Sequence, residues 1–142
     1  EVAKFAPKFA LVRSPNDLPR LMAQADLGLI GFGDAAYELA ALGIPAVYLC
    51  RSEDDVQSAS AFERAGMGIS LGAASNVDGA LIGATVAELL TDGECLRAMS
   101  AAGRMNLDGR GAARIAQHVR RMVEERDEAL RVPDGPRLMR AI

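Results

Sequence analysis

The sequence predicts an α/β protein: a Rossmann-like parallel sheet of about four strands flanked by helices and followed by further helices. Two patterns lead there. Short apolar runs lack polar alternation, as strands covered on both faces do. Helical stretches of about ten residues separate them, a length that suits right-handed crossovers between parallel strands. After Gly72 the apolar runs stop and only helical periodicity remains.

The elements follow in chain order. Phe9-Ala10-Leu11-Val12 is strand-like and stops at Ser14-Pro15-Asn16-Asp17, a cluster that turns the chain and starts a helix. Leu18, Leu21, Met22 and Ala25 have helical spacing, so residues 17–25 are predicted helical. Leu27-Gly28-Leu29-Ile30 is a second strand, ending in Gly31-Phe32-Gly33-Asp34. Residues 35–42 form a helix closed by Gly43 and stopped by Pro45. Ala46-Val47-Tyr48-Leu49-Cys50 is the third strand, residues 53–65 a helix stopped by Gly66, and Gly68-Ile69-Ser70-Leu71-Gly72 the fourth strand. Helices are then expected over residues 77–90, with Leu81, Val86, Leu89 and Leu90, and over 94–102 after Asp92-Gly93. Asp108 is expected to cap the last long helix, whose apolar stripe is Ile115, Val119, Met122 and Val123. Its other face carries Arg120, Arg121, Glu124, Glu125, Arg126 and Asp127. Residues 1–132 read as one partial domain and 133–142 as a loosely held tail, with no internal repeat; Glu1 at the start reads as a cut edge.

Composition narrows the function. The 142 residues are 50% apolar and 25% charged, which excludes a disordered chain and permits a core. Aromatics are 4% and Trp is absent, so aliphatic side chains must fill that core. The net charge of −3, with Lys only at Lys4 and Lys8, disfavours a nucleic-acid-coating surface. No apolar run reaches the roughly 18–20 residues of a spanning helix. Cys50 and Cys95 are isolated, with no ligand spacing around them, and fit small buried or half-buried hydrophobes in a reducing cytoplasm.

In open parallel sheets, ligands bind beyond the carboxyl ends of the strands. Three loops qualify: residues 14–17, 31–34 and 51–55. In the second, Gly31 and Gly33 follow a strand and open a helix, so backbone amides and the positive helix end can meet a phosphate. The alternative is a tight turn with Asp34 as N-cap and no ligand. Glu38, four residues past Asp34, can accept hydrogen bonds from sugar hydroxyls or simply favour the helix start through the dipole. In the third loop Glu53, Asp54 and Asp55 can cap the next helix, and Gln57 offers donors and an acceptor to a sugar. His118, the one histidine, sits in the charged last helix and reads as a surface or edge residue. The sequence carries no complete catalytic set, no metal site and no cofactor motif.

The stretch from Ala25-Asp26-Leu27 through Gly31-Phe32-Gly33-Asp34 to Glu38-Leu39 and Leu42-Gly43-Ile44-Pro45 resembles the donor half of GT-B-type enzymes (the glycosyltransferase family 28-like group). Ala61-Phe62-Glu63-Arg64-Ala65-Gly66 continues the likeness, as does Asp108-Gly109-Arg110-Gly111-Ala112-Ala113-Arg114-Ile115. The resemblance is nearest to the UDP-sugar hydrolases of pseudaminic acid synthesis and the spore-coat polysaccharide proteins. It is more distant to the peptidoglycan N-acetylglucosaminyltransferases, and it covers residues 9–123.

What the resemblance implies is a UDP-sugar substrate, with the diphosphate at Gly31, Gly33, Asp34 and Ala35, the ribose at Glu38, and the sugar at Gln57 and Ser58. It implies the C-terminal portion of a glycosyltransferase or nucleotide-sugar hydrolase of surface polysaccharide synthesis. Such a portion is inert alone, because the acid/base groups come from an N-terminal acceptor domain. The family carries Ser or Thr at the position of Asp34, and its donor domain begins with two strands and a Gly-rich loop that have no equivalent before Phe9. Both departures favour the alternative, a noncatalytic binding or oligomerisation module that kept the fold and lost the donor site. Bare sheet edges would then draw two copies into a homodimer or swapped assembly. A nicotinamide-binding domain fits less well, since Ala36 stands where a third glycine belongs.

Overall fold

The computed structural model describes Ala10, Val12, Arg13 and residues 16–130. The chain divides into two compact units, Glu1–Asp108 and Gly109–Ile142. In the first, β1 (Gly28–Gly31), β2 (Ala46–Cys50) and β3 (Gly68–Ala73) form a parallel sheet in the order β1-β2-β3. The helices are α1 (Leu18–Met22), α2 (Asp34–Leu42), α3 (Glu53–Arg64), α4 (Gly79–Thr91) and α5 (Gly93–Asn106). This is the expected Rossmann-like alternation followed by helices, with three strands among the described residues. Of the strand expected at 9–12, Phe9 and Leu11 lie outside the described residues, and Ala10 and Val12 belong to no strand. The tail expected at 133–142 also lies outside them.

Register places Gly28 beside Ala46, Gly31 beside Leu49 and Ala46 beside Gly68, with an irregularity at Tyr48/Cys50. Only the central strand is covered on both faces. In β1 burial alternates, leaving Leu29 47% exposed, because this strand has a neighbour on one side only among the described residues. Tyr48, Phe32, Ala36, Leu39 and Phe62 share one cluster, while Val47, Leu89 and Met99 form another. Successive residues of β2 serve opposite faces, as the pleat requires.

The few aromatics are concentrated. Phe32 meets Tyr48 at 5.3 Å and Phe62 at 5.2 Å, and Tyr37 meets Phe62 at 4.8 Å, all edge-to-face. Each such pair adds about 0.5–1.5 kcal/mol beyond its buried area. The Tyr48 hydroxyl donates to the Met67 carbonyl at 3.3 Å, and burial pushes its pKa up to about 12. Cys50 is buried and Cys95 half-buried, both as free thiols.

Most helix ends follow the sequence, though α5 runs to Asn106, four residues past the expected end at Ala102. Asp17, Asp78 and Asp92 cap α1, α4 and α5, and Gly43 ends α2 in the left-handed conformation at φ 73°. At Ser52 a capping box forms: the Asp55 amide donates to Ser52 Oγ, while Asp55 Oδ2 accepts from the Ser52 and Arg51 amides. The first helix stops at Met22 rather than continuing to Ala25. Its five residues bury no side chain, so little packing sustains a longer helix. In the second unit, α6 (Gly111–Ala129) has Arg110 and not Asp108 as its N-cap. Gly109 at φ 67° reverses the chain and delays the helix start by two residues.

The outer edge of β3 is occupied by side chains. The Ser70 amide donates to Glu63 Oε1 at 3.1 Å, and the Gly72 amide to Ser70 Oγ at 3.3 Å. In β1 the amides of Gly28 and Phe32 reach the Pro45 and Leu49 carbonyls, so alternation turns the polar groups of Leu29 and Gly31 outward.

Candidate functional site

The second predicted loop closes β1 and opens α2. Gly31 is the last residue of β1, Phe32 is buried at 4% exposure, and Gly33 is the N-cap of α2. Phe32 pins the turn through its aromatic contacts, so the glycines on either side of it are held at the carboxyl end of the sheet. Asp34 is the first helical residue and no side chain caps α2. The turn therefore lacks the Asp34 N-cap of the alternative reading, because Gly33 already has the extended backbone of that position. The Asp34 carboxylate stands exposed in the first turn.

What surrounds each glycine separates the two readings of this turn. A Cβ on Gly103 would lie 2.5 Å from the Ala40 carbonyl, and one on Gly68 would lie 2.5 Å from the Ala46 carbonyl. Those glycines exist so that backbones can approach. A Cβ on Gly33 would meet nothing within 4 Å, and one on Gly31 only the Leu49 carbonyl at 3.9 Å. Neither residue has a left-handed φ. Among the described residues, neither packing nor backbone conformation accounts for glycine at these positions, and the space a side chain would fill is open.

Ala35 and Glu38 follow on α2, Ala35 half-buried and Glu38 exposed. Asp34 and Glu38, four residues apart, share a helix face. No hydrogen bond or ion pair engages either carboxylate among the described residues. Gln57 and Ser58 stand exposed in the second turn of α3, past the loop, which is closed earlier by the capping box at Ser52. Asp55 is thus spent on the cap, as its position suggested, and Glu53 and Asp54 are exposed first-turn acids.

Arg51 carried no role in the sequence reading. It follows β2 directly, and the Gly31–Leu49 register puts Gly33 and Arg51 each two residues beyond a paired position on neighbouring strands. Its amide is held by Asp55, and its exposed guanidinium has no ion pair among the described residues. The signal was available in the sequence as a lone cation amid acids at a strand's carboxyl end. His118, on α6, is exposed and contacts Arg121 at 3.1 Å.

Among the described residues, no three His, Cys, Asp or Glu side chains gather to hold a metal ion, and no helix is long and apolar enough to cross a membrane. What this strand–turn–helix can do chemically is offer free amides and a helix end to an anion, with carboxylates positioned to accept from hydroxyls.

No protein-family model matches the chain. Over 119 residues it is 24% identical to the spore coat polysaccharide biosynthesis protein SpsG of Bacillus subtilis (strain 168), covering 84% of this chain and 35% of that protein. The chain thus spans about a third (35%) of the length of that curated relative. It is similar to a polysaccharide-biosynthesis protein over most of its own length, on a Rossmann-like α/β frame.

Proposed function

We propose that this chain is the C-terminal, UDP-sugar-binding portion of a GT-B-like glycosyltransferase or nucleotide-sugar hydrolase acting in surface polysaccharide synthesis. The observation that carries the reading is the pair Gly31 and Gly33. Both flank the uncapped start of α2, and neither is demanded by the protein's own packing. The similarity to a spore coat polysaccharide biosynthesis protein supports a role in polysaccharide synthesis.

In this reading the amides of Gly33, Asp34 and Ala35 and the positive end of α2 hold the diphosphate. They favour its departure by stabilising the charge that develops on the leaving group. Glu38 accepts from the ribose hydroxyls, and Gln57 and Ser58 bind the sugar. Arg51 supplies the positive charge that offsets the exposed Asp34. The acid/base groups belong to an acceptor domain outside this chain, so the chain alone binds and does not turn over. Its two thiols suit the reducing cytoplasm.

Calorimetric titration with UDP tests the proposal. Binding is expected for the wild type, and Glu38→Ala should weaken it about tenfold or more, the loss of a charge-assisted hydrogen bond. Absence of binding at millimolar UDP would remove the donor-site reading. A second reading, a noncatalytic assembly module, draws on the Asp34 carboxylate, unpartnered among the described residues, at the place a diphosphate would occupy. It predicts no heat in the same titration.

A further inference from the structure

We propose that the cavity at the amino ends of β1 and β2 binds a small zwitterion, an α-amino acid with an apolar side chain. The cavity has a volume of about 330 Å3, and its described lining residues all belong to the first unit. They come from residues 25–26 ahead of β1, residues 43–45 ahead of β2, and the first half of α5. The Gly31–Gly33 turn is at the other end of β1, so none of its residues lines this cavity. Pro45 is buried, and Ile44 and Leu96 are half-buried and packed on the core, so the floor is apolar. Asp26 and Arg97 stand exposed at the rim, with Ser100 half-buried.

The polar groups of the cavity are unengaged. Among the described residues the Asp26 carboxylate, the Arg97 guanidinium and the Ser100 hydroxyl make no hydrogen bond or ion pair, not even with one another. Arg97 lies back along its own helix, where a Cβ on Gly93 would be 3.4 Å from its Nη1. Opposite charges that share a cavity without neutralising each other are complementary to a ligand that carries both signs. An ammonium group suits Asp26, and the planar fork of Arg97 can take a carboxylate through two parallel hydrogen bonds. The Ser100 hydroxyl, both donor and acceptor, can serve either group. An apolar side chain on the same ligand removes water from Ile44, Pro45 and Leu96. A ligand of one sign fares worse, since a phosphate ester would meet repulsion at Asp26 and a simple amine at Arg97. A few convergent polar groups over an apolar floor are the usual make-up of a small-molecule site.

The proposal is independent of nucleotide binding. Ligand-observed NMR and thermal melting of the full chain test it with three probes: L-leucine, L-leucinamide, which lacks the carboxylate, and isocaproate, which lacks the ammonium. L-leucine should bind with a millimolar or tighter dissociation constant and raise the melting midpoint, because it ties together three segments distant in sequence. Each analogue should bind at least about threefold more weakly, the scale of one exposed charge pair. Asp26→Asn should weaken L-leucine by a similar factor and leave isocaproate unchanged, whereas Arg97→Gln should weaken L-leucine and leave L-leucinamide unchanged. Both side chains are exposed, and far-UV circular dichroism checks that each variant folds; the analogue series on the wild type does not depend on either variant. No L-leucine signal at about 20 mM overturns the proposal. So do analogues that bind as well as L-leucine, or folded variants that both bind it as the wild type does.

Discussion

Exchanging Gly33 for alanine should separate ligand binding from folding. The added methyl meets nothing within 4 Å among the described residues and the backbone there is extended, so no clash or strain among them opposes it. Alanine is a poorer N-cap than glycine by some tenths of a kcal/mol, and it restricts the unfolded chain by about 0.4–1 kcal/mol. These terms oppose each other, leaving stability within about 0.5 kcal/mol of wild type. The paired control is Gly68→Ala, whose methyl would sit 2.5 Å from the Ala46 carbonyl and 2.6 Å from Tyr48 Cε2. Overpacking against the central strand costs about 1–3 kcal/mol, visible as a midpoint shift in urea at unchanged slope. In UDP titration the order reverses: Gly33→Ala should lose at least about tenfold, or 1.4 kcal/mol, while folded Gly68→Ala should bind as wild type. The reasoning fails if Gly33→Ala destabilises as much as Gly68→Ala, since the glycine is then structural. It also fails if Gly33→Ala binds UDP unchanged.

Other outcomes follow from the same geometry. Asp34→Ser should strengthen UDP binding severalfold at low ionic strength by removing like charge from the helix start, with the gain shrinking as salt screens it. Asp55→Ala should cost about 0.5–2 kcal/mol in urea denaturation, because Asp55 Oδ2 holds the Arg51 and Ser52 amides. The Tyr48 phenol is favoured in its neutral form by burial, so folding gains from it below the unfolded value of 10.0, and that gain is lost as pH rises toward about 12. In a Tyr37→Phe variant, where Tyr48 is the one tyrosine left, tyrosinate absorbance should therefore appear together with unfolding in this alkaline window. Ionisation at pH 10 with the fold intact would contradict the burial account.

Much of the frame was legible because apolar runs and punctuation coincide. Gly43, Pro45 and Gly66 stop helices where the chain must turn back to the sheet, and Ala46-Val47-Tyr48-Leu49-Cys50 has the unbroken apolarity of a strand covered on both sides. The outer strands were harder, since Leu29 looks as buried as Val47 in a sequence that does not reveal which strand lacks a neighbour. The start of α2 stayed open between an Asp34 cap and an anion-binding turn because aspartate is a strong N-cap anywhere, and only the extended backbone at Gly33 shows the cap position already filled. The glycines of the candidate site could not be told from packing glycines by spacing alone. Gly103, just past the helix expected over 94–102, is required by the Ala40 carbonyl, far back in the chain.

The two rims of the sheet are unequal in a way that gives the domain a direction of growth. On β3 the outward amides of Ser70 and Gly72 are already taken by the Glu63 carboxylate and the Ser70 hydroxyl, so a strand arriving there would have to displace both. On β1 the outward groups of Leu29 and Gly31 meet no such guard among the described residues. Any further strand of a longer polypeptide would therefore be added beside β1, and the next layer of the architecture would be built outward from the glycine turn rather than away from it.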